Sequence, residues 1–426
     1  MQSVSTEKSS EHEIISLNQA KLHWPSLIQF ICSMLAALTL IGIAFIFGII
    51  GFGQAVFPFN QLEDPLPSLL MAAGLFFSGC LLFPSAGYAL AKLVDWQVPG
   101  WKKFPRLISP IFWILALPLV LGAGYLLSKQ KILTWLFLPL LHMLAIGIPI
   151  AWLISIGSRR LRAGSAQRSW GSFASGLVLA PSLIIIIEII TLVAFLLIIL
   201  VVISSRPELV NQLGNISRQV ANLRQDPNAM LQAIAPILSK PTFLLILLAY
   251  GAVIVPLIEE LLKPLGVWLL VGKSLTPTEG FIAGVLSGAG YGLFESLALS
   301  SNAGDWSAIV VARIGTGIIH ITTAALSGWA IASAWRFKRY FQLGVMYLIV
   351  VAIHGMWNGL AITAAFTSFP YIDTTPSAFN LALRVSGAAP LALVIIMAGT
   401  FLTLILSNRI LQQSQSPTTS SGIKLG

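Results

Sequence analysis

The chain has 426 residues, of which 56% are hydrophobic and only 9% charged. That composition excludes a soluble enzyme and describes a polytopic membrane protein. The net charge of +10 is dispersed over short loops, so it is no nucleic-acid footprint and no nucleic-acid partner is expected.

In chain order, residues 1–25 read as an N-terminal tail, with 1–20 expected to be disordered. Ten apolar segments then read as spanning helices, at 26–52, 67–91, 107–127, 132–156, 173–203, 242–271, 280–300, 307–334, 341–366 and 385–407. The fold class expected is all-α, a polytopic transmembrane helical bundle. No signal peptide is expected, because the first apolar segment is too long for one and lacks a small-residue cleavage site. Cys32 and Cys80 lie in the first two spans and read as two buried thiols. A five-span N-terminal region, 26–203, is followed by a long loop at 204–241. Leu209, Leu213, Ile216, Val220 and Leu223 recur there at helical spacing. Asp226-Pro227 reads as the start of a second short helix carrying Met230, Ile234, Ile237 and Leu238. Two amphipathic helices lying on the membrane surface or capping the bundle are expected. A second membrane region, 242–366, the last span at 385–407 and a disordered tail over 412–426 complete the division.

The loops differ in charge. Sixteen Lys and Arg fall on one side and seven on the other, with Lys263 and Arg313 inside spans. The positive-inside rule sets both termini in the cytoplasm and the 204–241 loop outside. The location expected is the plasma membrane of a prokaryotic cell.

The spans of the second half are not uniformly apolar. The sixth carries Glu259, Glu260 and Lys263, the seventh Glu295, the eighth Arg313 and His320, and the ninth His354 and Asn358. Each charge at the centre of a span costs about 2.5–3.5 kcal/mol on insertion scales. The three on the sixth span therefore cost roughly 8–10 kcal/mol, against about 0.3–0.6 kcal/mol returned per apolar neighbour. Ionisable residues kept at that cost mark functional sites. Counting ~1.5 Å per residue from the cytoplasmic ends puts Glu259 and His354 at roughly 18–20 Å and Glu295 and His320 at roughly 22–24 Å. Four helices thus contribute to one layer. Lys263 is i+4 from Glu259 and i+3 from Glu260 and can neutralise either. Adjacent glutamates point about 100° apart, so one can face the lysine and the other a cavity. Gly288, Gly290 and Gly292 thin the seventh helix for a close neighbour.

The chemistry this set supports is activation of water. A buried carboxylate can act as general base, while His354 and Asn358 donate to an oxyanion. Lys263 and Arg313 support it, Arg313 as a partner for Asp305 or Glu295. A second reading of the same residues is a zinc site drawn from Glu260, Glu295, His320 and His354, with one coordination position left open. No local motif such as His-Glu-x-x-His supports it. His142 reads as a core residue and Trp357 as packing; Glu188, alone in an Ile-rich run, stays undecided between the core and the site.

Four motifs in order carry a resemblance. Glu259-Glu260-x-x-Lys263, the Gly-rich helix ending Phe294-Glu295, Arg313 with His320 seven residues on, and His354-x-x-Trp357-Asn358 resemble the PrsW family, which belongs with the CAAX-processing and bacteriocin-processing membrane proteases. The resemblance covers roughly 250–362 and leaves the first five spans outside. It implies intramembrane hydrolysis of a peptide bond in a membrane protein or peptide. It carries water activation onto Glu259 and Glu260 and adds Glu295, His320 and His354 to the site. In the CAAX branch a basic residue stands four positions after the second glutamate and a histidine replaces Glu295, so the assignment of the base does not transfer. Analogy favours Glu259, and the i,i+4 contact with Lys263 favours Glu260. The readings of another class are a non-catalytic scaffold or sensor derived from the protease and a proton-coupled transporter. The absence of a repeat between the two halves speaks against the transporter.

Overall fold

The computed structural model describes residues 22–57, 64–96, 110–222, 227–298, 303–375 and 377–415. Within them every long element is a helix, and the protein is an all-α membrane bundle. The helices are α1 (Trp24–Val56), α2 (Leu66–Leu93), α3 (Pro110–Leu127), α4 (Lys131–Gly157), α5 (Ala166–Ser204), α6 (Pro207–Asn222), α7 (Pro227–Leu238), α8 (Pro241–Trp268), α9 (Pro277–Leu297), α10 (Trp306–Phe337), α11 (Tyr340–Thr367) and α12 (Asn380–Gln415). Eight of these, α1, α2, α4, α5, α8, α10, α11 and α12, are long and apolar enough to cross a bilayer. Ten spans were expected. Of the other two, α3 has only a short apolar stretch, Leu115–Leu127. The other, α9, is 21 residues long but diluted by five glycines, Glu279 and Glu295.

The centre of the bundle is the pair α9–α10. Their approach follows from a stripe of glycines every fourth residue on α9. A Cβ on Gly280 would come within 2.4 Å of the Gly328 carbonyl, one on Gly284 within 2.2 Å of the Ala324 carbonyl, and one on Gly288 within 2.5 Å of the His320 carbonyl. Small residues at this spacing let backbones touch, which is how helices associate where lipid offers no hydrophobic drive. A second face of α9 meets α5, where Gly176 lies against the Ser287 carbonyl and Gly290 against that of Phe173. The start of α9 is fixed by a capping box in which Thr276 and Glu279 each bond the other's backbone N–H.

Two spans carry π-turns, α5 at Ser175–Leu179 and α8 at Ala249–Ile254. Helix α8 breaks again after Lys263, where Pro264 has no N–H to continue the ladder. The buried Ser287 hydroxyl repairs that break, donating to the Lys263 carbonyl at 2.6 Å and accepting from Gly266 N–H at 3.2 Å.

The N-terminal spans share the same core. Leu138, Ile146, Ile150 and Leu153 of α4 pack with Leu286, Leu293, Val310 and Ile318 of α9 and α10. The buried His142 accepts a hydrogen bond from the Trp306 indole at 3.2 Å, as a core histidine would. Helices α6 and α7 form the two expected short elements of the long loop; Asp226 lies outside the described residues. Lys240 bonds Gln212 at 2.8 Å and Tyr371 bonds Asn228 at 3.1 Å, tying this loop to the α11–α12 connection.

Two expectations change. Helix α12 continues to Gln415 where a disordered tail was expected from 412, because Asn408 and Gln412 donate to the Arg159 carbonyl at 3.1 and 2.9 Å. Both thiols are free, but Cys32 is exposed on the outer face of α1 instead of buried. The expectations for residues 1–20 and 416–426 lie outside the described residues.

Candidate active site

Each polar side chain of the second half is aimed by a backbone feature. The α9 glycine stripe seats the turn of α10 that carries His320, with Gly288 against its carbonyl and a Cβ on Gly292 falling 3.6 Å from its Cβ. On α11, a Cβ on Gly355 would meet the Ala252 carbonyl at 2.5 Å, so His354 is held directly beside the π-turn of α8. Asn358 donates to the Gly251 carbonyl at 3.0 Å. That carbonyl lies within the π-turn, so one Asn358 N–H positions α8. Tyr347 fixes the same pair of helices through the Leu257 carbonyl at 2.7 Å.

Glu259, Glu260 and Lys263 are all buried. The Lys263 Nζ sits 2.7 Å from Glu260 Oε1 and 3.0 Å from Glu259 Oε2, so it faces both carboxylates, not one. The i,i+4 argument therefore does not separate them. Their other neighbours do. Glu260 lies 2.9 Å from His354 Nδ1, and its side chain is fully shielded. Glu259 keeps a tenth of its side chain accessible and has its Oε2 3.9 Å from His354 Nε2.

His320 repeats the pattern from the opposite side. Its Nε2 is 2.5 Å from Glu295 Oε2, which also receives Arg313 Nη2 at 2.8 Å; Arg313 Nε donates to Ser296 at 3.2 Å. The sequence alternatives for Arg313 thus resolve to Glu295. The Nδ1 of His320 is buried with no hydrogen-bond partner. The two imidazoles stand perpendicular, 5.5 Å apart.

These pairings leave one nitrogen of each histidine, His320 Nδ1 and His354 Nε2, turned away from its carboxylate, with Glu259 Oε2 3.9 Å from His354 Nε2. The metal-ligating atoms of these three residues lie within 4.8 Å of one another. Sequence reasoning drew a metal set with Glu260 and Glu295 as the carboxylates. The structure instead turns both toward the far nitrogen of a histidine and leaves Glu259 in the cluster. A carboxylate behind each histidine fixes its tautomer and ring orientation, as around metal-bound histidines generally. Two imidazoles and one carboxylate form the donor set of catalytic zinc sites that keep a fourth position for water. The residues therefore fit a divalent metal.

Two contributors were not assigned from sequence. Tyr291 stands edge-on to His320 at 5.1 Å, carries Lys263 over its ring at 5.2 Å and interacts with Glu259. It sits inside the Gly-rich motif, three residues after Gly288, where it reads as one more apolar core position. Glu188 of α5, undecided from sequence, interacts electrostatically with Glu259 and Glu295. The site opens beside it: the Glu295 side chain is 36% exposed, against 0–2% for Lys263, Glu260 and both histidines.

A family model described as PrsW family intramembrane metalloprotease matches residues 166–385, which adds the fifth span to the region the motifs covered. No curated protein and no solved structure matches the chain.

Proposed function

The chain belongs to the PrsW family of intramembrane metalloproteases, and on that premise we propose that Glu259, His320 and His354 form its hydrolytic centre. The observation that carries this reading is the convergence of Glu259, His320 and His354, whose ligating atoms lie within 4.8 Å of one another, with His320 Nδ1 buried and unbonded and His354 Nε2 3.9 Å from Glu259 Oε2.

The roles follow from the pairings. Lys263 has two carboxylates at shorter range than His354, so the Nδ1 proton of His354 goes to Glu260 and its Nε2 keeps a lone pair. His320 gives its Nε2 proton to Glu295, held by Arg313, and its Nδ1 keeps a lone pair. The water to be split is held among these two nitrogens and Glu259. Glu259 accepts its proton as the oxygen bonds to the scissile carbonyl carbon. The same proton then passes to the leaving nitrogen as the C–N bond breaks, which yields a carboxylic acid and an amine. Lys263, 3.0 Å from Glu259 Oε2, balances the charge of that carboxylate. A divalent metal held by Glu259, His320 and His354 would itself acidify the water and polarise the carbonyl, with Glu259 then serving as ligand instead of base. The substrate is a segment of a membrane protein or peptide that reaches the centre laterally through the opening at Glu295. Both termini lie in the cytoplasm.

The test is cleavage of a membrane reporter by the full chain in vesicles. Glu259→Gln keeps shape and removes the base, and is expected to lower kcat by about 10²–10⁴-fold. Activity at the wild-type level in Glu259→Gln would overturn the assignment. Loss of activity in a chelator, restored by zinc, is the expected result for a metal-loaded centre; full activity in chelator assigns the same three residues to a metal-free glutamate mechanism.

A further inference from the structure

Glu188 is the acid that this mechanism does not use. It stands in the most apolar of the described spans, within the run Leu183–Val202, where a charge is costly. Its placement is not incidental. Ile184, one turn earlier on the same face, packs against Tyr291, and Glu295 is one turn beyond Tyr291 on α9. The turn bearing Glu188 is pinned by its own carbonyl, which accepts from the Tyr250 hydroxyl at 2.7 Å and from Thr191 at 3.0 Å. Tyr250 in turn packs on Phe195. Glu188 thus lies close enough to Glu259 and Glu295 to interact with both.

There one Glu188 oxygen, Oε1, is shielded from solvent and has no hydrogen-bond donor among the described residues. Its carboxylate neighbours Glu259 and Glu295 repel it. Lys263 attracts it but is already bonded to Glu259 and Glu260, and Arg313 is bonded to Glu295. Four carboxylates thus share two cations, and Glu188 is the one left over. An ionisable residue kept in a span with a shielded oxygen and no donor marks a functional site.

Resting on the protease reading above, we propose that Glu188 selects the substrate. It receives the positively charged side chain of a lysine or arginine in the membrane segment, next to the bond that is cut. Such a cation is itself costly in lipid, and the charge-assisted hydrogen bond to Glu188 draws that part of the segment into the site.

The experiment uses single-span reporters that differ only by Lys, Gln or Glu at one position, walked residue by residue through the span. In vesicles, the wild-type chain is expected to favour Lys over Gln at least tenfold in kcat/KM at positions close to the cut. Glu188→Gln brings that ratio to about one, Glu188→Lys reverses it in favour of Glu, and Glu188→Asp retains it. A Lys:Gln ratio that is the same in wild type and Glu188→Gln overturns the proposal. So does a loss in Glu188→Gln that is equal for all three reporters. Photo-crosslinked capture of the same reporters in a Glu259→Gln background reads selection without turnover. If no reporter is cut by the wild-type chain, the hydrolytic reading fails, and capture still decides the role of Glu188: Lys-dependent capture lost in Glu188→Gln supports it, and capture indifferent to either change refutes it.

Discussion

Two glutamates adjacent in sequence have different surroundings, and the difference predicts different defects. Glu260 is fully shielded, bonded to Lys263 and His354. Removing its charge with Glu260→Gln frees His354 to turn, and changes to a carboxylate behind a site histidine typically cost 10–100-fold. Single-turnover cleavage should place Glu260→Gln in that range, above Glu259→Gln. Lys263→Met leaves both carboxylates buried without their cation. Breaking a buried pair in this way costs about 3–5 kcal/mol, so a large drop in thermal midpoint in lipid nanodiscs is expected alongside lost activity; an unchanged midpoint would show that the ion pairs contribute little to folding. The sequence was informative here because charges in an apolar run stand out against their insertion cost. It was not informative about partner choice. The i,i+3 and i,i+4 spacings to Lys263 are both satisfied at once, and which glutamate meets which histidine is decided by α11, ninety residues away.

At the scale of elements, the site depends on how closely α9 admits its neighbours. Glycines Gly288, Gly290 and Gly292 were legible as thinning the helix, but the stripe that seats α10 runs Gly280, Gly284, Gly288, Gly292. Its role appears only when the facing carbonyls of Ala324 and His320 are known. Gly284→Ala places a methyl 2.2 Å from the Ala324 carbonyl, a backbone atom that cannot turn aside. Overpacking of this kind costs about 1–3 kcal/mol, and the shift passes one turn along α10 to His320. The expected result is a lower thermal midpoint together with reduced kcat. Gly42→Ala, at an open position on α1, should leave both unchanged and serves as the control. Interruptions of the helices were the least legible part. Pro256 and Pro264 announce irregularity in α8, but nothing in the sequence marks Ala249–Ile254 as a π-turn, and the carbonyl that Asn358 meets there is invisible without it.

For the whole molecule, the all-α class and eight of the ten expected spans were readable from hydropathy and length, while α3 and α9, also read as spans, fall short of that criterion among the described residues. The N-terminal spans showed no chemistry in sequence, yet α4 contributes to the same core as α9 and α10, and His142 holds Trp306 at the start of α10. The catalytic half is therefore not a separable unit in packing terms. The proposed orientation has its own test. With Cys32 and Cys80 replaced, Asn215→Cys on α6 should react with a membrane-impermeant maleimide from outside intact cells, and Gly164→Cys between α4 and α5 only after permeabilisation. The reverse pattern would invert the topology.

The π-turns carry a consequence for insertions and deletions. Each holds one residue more than an α-helical turn would, and the segment beyond is rotated by about 100° relative to the segment before. On α5 the turn lies upstream of Glu188 and on α8 upstream of Glu259 and Glu260. Deleting a single residue from Ala249–Ile254 would leave a more regular helix and every site residue in place in the sequence. It would also swing the glutamate pair away from His354 and toward lipid. The length of these two segments is thus as much a catalytic specification as the identity of any side chain in the site.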